Sequence, residues 1–410
     1  MKAFINLEPR RDQGTTPTKL TASRRVDSLT DIGVERMGDA ADLLADPRVL
    51  RLENLDTNLP PPEEALAATE RAVRDDDANS YLPFFGHSAL RRAATGMVAR
   101  LAGLHADAYD WRRQCFISAG GLSGVFNTLL ACIDPGDEVV MTSPAYVGLI
   151  NRVRLAGGVP RFVPLRPEAS GWRLDQGALK AVVGPRTRAF LMMSPSMPTG
   201  AVFDAAEWRA VCEACVAADA WMVYDAAMER LLFDGVAHIH PASLPGMAER
   251  TVTIGALSKE YRMIGWRVGW VVCPLALAEA LARVSLSNVV TPVGIAQPAA
   301  AAAILAGDDG IANCTAEWQA RRDLLLAELE ADFAVVRPQG GWSMLIDMAP
   351  LGLSGQEASR TLLQTAQIAA TSMENWGLPD TARYLRLVFA NEPQARLAGI
   401  GARMRAALKG

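Results

Sequence analysis

Through the middle of the chain two hydrophobic periods alternate, and this limits the available folds more than any other feature. Helix-like stretches cover His87–Leu104, Gly121–Ile133, Leu174–Val183 and Ala205–Ala218. Short apolar runs bounded by turn residues lie among them: Glu138–Met141, Arg161–Pro164, Ala189–Met193, Trp221–Tyr224, Thr251–Ile254 and Val268–Cys273. Asp134-Pro135-Gly136-Asp137 is a strong turn signal ahead of the first run. Nearly continuous apolar strands suit a sheet covered on both faces. Their alternation with helices predicts an α/β fold with a mostly parallel sheet. Beyond about residue 300 the pattern becomes α+β. A long helix over Ile311–Ala331 precedes strand-like Ala334–Arg337 and Ser343–Asp347, then the strand Tyr384–Ala390 and a last helix to about Leu408. A second, smaller domain is expected there. The first 55 or so residues read as charged and irregular.

The chain has 410 residues, room for two or three domains. Its formal net charge of −4 argues against a nucleic-acid or anionic-membrane binder. No apolar run reaches the roughly 18 residues a membrane helix needs. The short apolar stretch at 3–7, soon followed by Arg10, Arg11 and Asp12, falls short of a secretory signal. Six scattered cysteines make no disulfide framework, so a cytoplasmic location is expected. Cys212-x-x-Cys215 sits in an amphipathic helix with no second Cys or His pair at metal spacing. It reads as helix packing rather than a redox or metal site.

The chemistry concentrates in Gly255-Ala-Leu-Ser258-Lys259-Glu-Tyr-Arg-Met-Ile-Gly265-Trp-Arg267-Val-Gly269-Trp270. A lysine at the end of a buried strand, beside another cation, has its pKa lowered toward the neutral amine that can form a Schiff base. Arg267 can hold a phosphate with two prongs, and the flanking glycines allow close backbone approach. The stretch resembles the lysine motif of fold-type I pyridoxal-phosphate enzymes, specifically the class I/II aminotransferases of the aspartate aminotransferase superfamily.

Further segments fall in that family's order, and the likeness covers roughly residues 50 to 410. Asp225 ends the apolar strand Met222-Val-Tyr224-Asp225, 34 residues before Lys259. Alone it reads as a strand-end turn residue; the resemblance makes it the partner of the cofactor's pyridine nitrogen. The backbone of Gly121 and Leu122, opening a helix after Ser118-Ala119-Gly120, matches the phosphate-binding turn. Tyr146 in Ser143-Pro144-Ala145-Tyr146 matches the aromatic stacked on the ring, with a plain core aromatic as the competing reading. Tyr81, in Ser80-Tyr81-Leu82-Pro83 with Gly86 and Leu90-Arg91, matches a tyrosine that reaches the partner subunit's phosphate. Arg386, in the apolar strand Tyr384-Leu385-Arg386-Leu387-Val388-Phe389-Ala390, matches the residue that binds the substrate α-carboxylate.

The resemblance implies a three-layer α/β/α domain over 60–300, with 1–59 and 301–410 forming a smaller α+β domain. It implies a homodimer with composite sites and pyridoxal 5′-phosphate on Lys259, Asp225, Tyr146, Gly121, Leu122, Ser258, Arg267 and Tyr81. The expected reaction is amino transfer from an L-α-amino acid to a 2-oxo acid, with Lys259 as Schiff-base former and proton carrier. Asp56, Thr57, Trp342 and Asn288 are candidates near the side-chain pocket, and no clear second arginine marks a dicarboxylic substrate.

Three departures stand out. In Ser194-Pro-Ser-Met197-Pro198-Thr199-Gly200, Met197 replaces an asparagine that donates to the cofactor's 3′-oxygen, and Met228 replaces a tyrosine with the same duty. Thioethers cannot donate. Ala256 replaces a phosphate-binding serine. A raised Schiff-base pKa is expected, readable in a spectroscopic pH titration. The alternative reading is a lyase, cyclase or decarboxylase acting on a specialised amino acid.

Overall fold

A computed structural model describes residues 21–409 of the chain. The N-terminal stretch weighed above as a secretory signal, residues 3–12, lies outside them. The centre is an eight-stranded sheet. Thr251–Ala256, Trp221–Asp225, Thr187–Met193, Glu138–Ser143 and Val159–Glu168 pair in parallel, in that order. Gly269–Val272 runs antiparallel between Thr251–Ala256 and Cys115–Ser118, and Gly171–Leu174 closes the other edge antiparallel to Val159–Glu168. Hydrophobic periodicity carries no direction, so these two reversals were not readable from the sequence.

Successive residues of one strand pack in opposite layers because side chains alternate along a strand. Phe190, Met192, Met222 and Tyr224 join one buried cluster, while Ala189, Leu191, Val223 and Ile254 join another. The first layer includes the helix Ala205–Ala217, and the second the helices Gly121–Cys132, Val147–Leu155 and Leu275–Asn288. Cys212 and Cys215 are core residues of that first layer, and burial pushes both thiols up to about 12. They stay protonated and unreactive at neutral pH, which agrees with helix packing.

A second, antiparallel sheet has the order Ala334–Val336, Ser343–Asp347, Tyr384–Val388, Thr371–Ser372. Its strands pack with Leu325, Leu326 and Leu362 of the helices Ile311–Leu329 and Gly355–Ala366. The N-terminal region is more regular than its composition suggests. It holds the helix Val34–Leu44 and the strand Leu50–Arg51, which pairs in parallel with Ile368–Ala369. Leu52 bridges onward, donating to Ala369 O at 3.0 Å and accepting from Val388 N at 2.9 Å. Leu50 and Leu52 belong to the same buried cluster as the second sheet. No described helix is long and apolar enough to cross a membrane.

Candidate active site

The parallel strands all point their C-terminal ends the same way, and in open α/β sheets ligands bind there. Ser118, Ser143, Met193, Asp225 and Ala256 are the last residues of their strands. Beyond these ends lies a cavity of about 560 Å³. Its lining includes eight residues singled out from the sequence: Lys259, Asp225, Tyr146, Gly121, Leu122, Ser258, Arg267 and Arg386.

Lys259 follows the strand Thr251–Ala256 by three residues. Its Nζ donates to Leu55 O at 2.6 Å and lies 5.1 Å from the Trp342 ring centroid. Burial pulls its pKa down to about 8; Asp56 opposes the shift, and Arg267 and Arg386 add to it. The neutral amine is the nucleophile, so aldehyde capture by the cofactor-free protein should rise with pH through about 8 and then level. Borohydride reduction and mass spectrometry of Lys259 would read it, and a rate still climbing above pH 10 would contradict the lowered pKa.

Asp225 is 7% exposed, and its Oδ1 accepts from Ala227 N at 3.1 Å. Burial raises its pKa to about 6, against the pull of that hydrogen bond and of Arg152. Because the folded pKa lies above the ordinary carboxyl value, the associated stability is present below pH 3.8 and lost as pH rises through about 6. Asp225→Asn should therefore stabilise the cofactor-free protein by about 3 kcal/mol at pH 8 and hardly at all at pH 4. Thermal unfolding at both pH values checks this. A carboxylate kept at such a cost suits a site that meets a cationic ring nitrogen.

Elsewhere on the same lining, a turn and a helix start converge on an arginine. The helix Gly121–Cys132 has Gly120 as its N-cap, at φ +83°, with no side chain satisfying the first amides. A Cβ on Gly120 would lie 2.7 Å from Arg267 Nη2, so only glycine lets the guanidinium reach this turn. A Cβ on Gly269 would lie 2.7 Å from the Gly120 carbonyl carbon, so this glycine brings the strand and turn together. Arg267 holds a left-handed backbone at φ +55°, and its Nη1 donates to Ile264 O at 2.8 Å and Ser258 Oγ at 3.4 Å. Free amides at a helix start beside a guanidinium and a hydroxyl form an anion site.

Arg386 lies across the cavity, 1% exposed. One Nη2 bond goes to Glu53 O, and the guanidinium lies 4.9 Å from the Trp376 ring centroid. Its Nε has no partner among the described residues, and burial lowers its pKa to about 10. The remaining donor fits a carboxylate. The Tyr146 ring lies 5.6 Å from that of Trp376, tilted by 51°. Met197, Met228 and Ala256 also line the cavity. Met197 Sδ lies 3.7 Å from Arg386 Nη1, and the Tyr224 hydroxyl donates to Ser194 O at 3.0 Å rather than into the cavity.

Some candidates fall elsewhere. Tyr81 is 79% exposed on the single chain and does not line the cavity. Asn288 donates to Asn127 Oδ1 at 2.7 Å on the far layer, because its helix packs on Gly121–Cys132. Thr57 is taken up by Ala390 O and Trp318 Nε1, and Trp342 is buried behind Lys259. Asp56 does line the cavity. Sequence reasoning missed the wall supplied by Ile32, Val34, Glu35, Asp39 and Glu53. Its one available signal was the spacing of 35, 38, 39 and 42, which puts Glu35, Asp39 and Asp42 on one helix face.

A family model described as "Aminotransferase class I and II" matches residues 52–400. The arginine–pyruvate transaminase AruH of Pseudomonas aeruginosa is 36% identical over 318 residues, covering 76% of this chain and 79% of that protein. The solved N-succinyldiaminopimelate aminotransferase of Mycobacterium tuberculosis superposes with a TM-score of 0.86 at 30% identity, covering 95% of this chain and all of that one. Aspartate aminotransferase from Thermus thermophilus gives a TM-score of 0.85 at 29% identity, covering 95% of this chain and 100% of that one. These relatives favour transamination over the lyase, cyclase or decarboxylase reading. With a fold-type I architecture and a match of this extent, the chain belongs to the class I and II aminotransferases and is a transaminase.

Proposed function

We propose that the chain holds pyridoxal 5′-phosphate in this cavity and moves the amino group of an L-α-amino acid to a 2-oxo acid, as a homodimer. The observation that carries the reading is the gathering of Lys259, Asp225, Arg267 and Arg386 around one cavity. The cofactor fits the residues present. The uncapped helix start and the Gly120 turn against Arg267 suit its phosphate, and the buried Asp225 suits its ring nitrogen.

When bound, the cofactor supplies an aldehyde for amines and an electron-withdrawing ring. The protein does the rest. The amides of Gly121 and Leu122, with Ser258 and Arg267, hold the phosphate, and Tyr146 lies against the ring. Arg386 would fix the substrate carboxylate through its charge and its free Nε donor. The Lys259 amine, whose pKa burial lowers to about 8, would take the proton from the substrate Cα and hold it for return to the carbon on the other side of the amino nitrogen.

The dimer is supported by a surface that a lone chain leaves bare. Tyr81 and Phe84 are exposed beside Val290 and Val293, where Thr291 Oγ1 joins Leu82 O at 3.3 Å. Tyr81 would act from this surface on the partner's site. The division into a 60–300 domain and a domain made of both chain ends is supported by Leu50 and Leu52 packing in the second sheet's core. Six free cysteines support a cytoplasmic setting.

Purified protein loaded with pyridoxal phosphate, given an amino acid and a 2-oxo acid, should form one new amino acid per donor consumed. Ammonia or carbon dioxide released without a new amino acid would overturn the reading. Light scattering should give twice the chain mass of 44.0 kDa.

A further inference from the structure

The named relatives differ in substrate, so family membership leaves the side-chain specificity open. Around this cavity the charges are uneven. Apart from the four groups assigned above to cofactor and carboxylate, its lining carries five carboxylates and one arginine: Glu35, Asp39, Asp42, Glu53, Asp56 and Arg51. Arg51 is spent. It binds Asp42 through Nη1 at 2.6 Å and Glu53 Oε1 through Nε at 2.8 Å. Among the described residues of the single chain, no lining cation is left for an anionic side chain. Glu35, Asp39 and Asp56 have no cationic partner among the described residues.

The acids form a structured wall. Glu35, Gly38, Asp39 and Asp42 all line the cavity, the i, i+3, i+4, i+7 spacing that puts them on one face of Val34–Leu44. A Cβ on Gly38 would lie 3.7 Å from Arg51 Nη2 and 3.9 Å from Glu53 Oε1, so this helix face packs close to the Arg51–Glu53 pair. Glu53 is the strongest indication of a ligand. It is 0% exposed and lines the cavity, yet its Oε2 has no partner among the described residues. A buried carboxylate oxygen without a donor is costly, and an arriving cation would relieve that cost. The Glu53 carbonyl accepts from Arg386, so the wall begins beside the carboxylate-binding arginine. Ile32, Val34 and Leu55 line the same cavity and suit a methylene stem.

We propose that this site selects L-amino acids whose side chain is an apolar stem ending in a guanidinium or ammonium group, and that Glu35, Asp39 and Glu53 recognise that cation. The inference rests on the aminotransferase reading, with Arg386 holding the α-carboxylate.

The test uses ligands that lack an α-amino group and so cannot react: 5-guanidinopentanoate (cationic end), hexanoate (neutral) and adipate (anionic). Calorimetry on the cofactor-loaded enzyme at low ionic strength should show 5-guanidinopentanoate binding at least tenfold more tightly than either of the others, a preference that shrinks with added salt. In the Glu35→Gln/Asp39→Asn double variant, altered only on the exposed helix face, the guanidinopentanoate-to-hexanoate affinity ratio should fall toward one. Hexanoate or adipate binding as tightly as the guanidino ligand to the unmodified enzyme would overturn the proposal, and so would an unchanged ratio in the double variant. Turnover is read separately with L-arginine and a 2-oxo acid. Cation-selective binding without amino transfer would uphold the selectivity and defeat the reaction assignment, whereas turnover with no cation preference would do the reverse.

Discussion

Lys259→Ala is expected to lower kcat for amino transfer by about 10⁴-fold while the protein stays folded. Two consequences of its position lead there. The amine is the one lysine lining the cavity among the described residues, so on the proposed mechanism its removal deletes the group that carries the proton. The fold depends on it little, since Nζ makes one hydrogen bond, to Leu55 O, and its charge is held down by burial. The melting temperature of the cofactor-free variant should match or exceed that of the unmodified chain, because a buried amine is gone. Stopped-flow single turnover with added methylamine separates chemistry from folding. A small soluble amine should restore part of the rate if the loss lies in proton transfer. A variant that keeps more than a tenth of the unmodified rate would remove Lys259 from the mechanism.

Arg386→Lys should lower kcat/KM for amino acids by about a hundredfold, the scale of one lost charge-assisted hydrogen bond at about 1.5–3 kcal/mol. Lysine keeps the charge but not the planar fork. The native guanidinium is set by Trp376 on one side and by Glu53 O and Thr371 Oγ1 on another, which leaves Nε as the free donor. A primary amine without a carboxylate serves as the control. Its slower reaction should change far less than that of the amino acid, because it never used the fork. Equal losses for both would mean that the substitution damages the cavity as a whole.

The catalytic floor was legible because each part has a local signature. Lys259 leaves an apolar strand, Asp225 ends another, and Gly120-Gly121 opens a helix. Arg267 lies between Gly265 and Gly269, and all four features survive translation into geometry unchanged. The departures were legible too, since Met197 and Met228 occupy the cavity where the family likeness puts donors. What could not be read was long-range. Val34–Leu44 is a mostly exposed helix with a single fully buried residue, Ala41, so little in its own sequence says what it packs against. Its place at the cavity depends on Leu50–Arg51 pairing with a strand more than 300 residues away in sequence. Asn288 failed as a pocket candidate for the same kind of reason. Which face of Leu275–Asn288 meets Gly121–Cys132 is a packing outcome, and no local pattern encodes it.

The stretch 51–56 passes over the cavity while its preceding strand is tied to the opposite end of the chain. Chemistry and choice of substrate are therefore written in separate parts of the gene. On the proposed reading, codons for the region between Cys115 and Gly269, with those for Tyr81 and Arg386, specify what reaction occurs, and codons before residue 57 specify much of what is admitted to it. Selection can rewrite the second without disturbing the first, so specificity in a chain built this way is open to rapid divergence. Exchanging residues 21–56 between two relatives is the corresponding laboratory experiment, and it amounts to a transplant of preference onto an untouched engine.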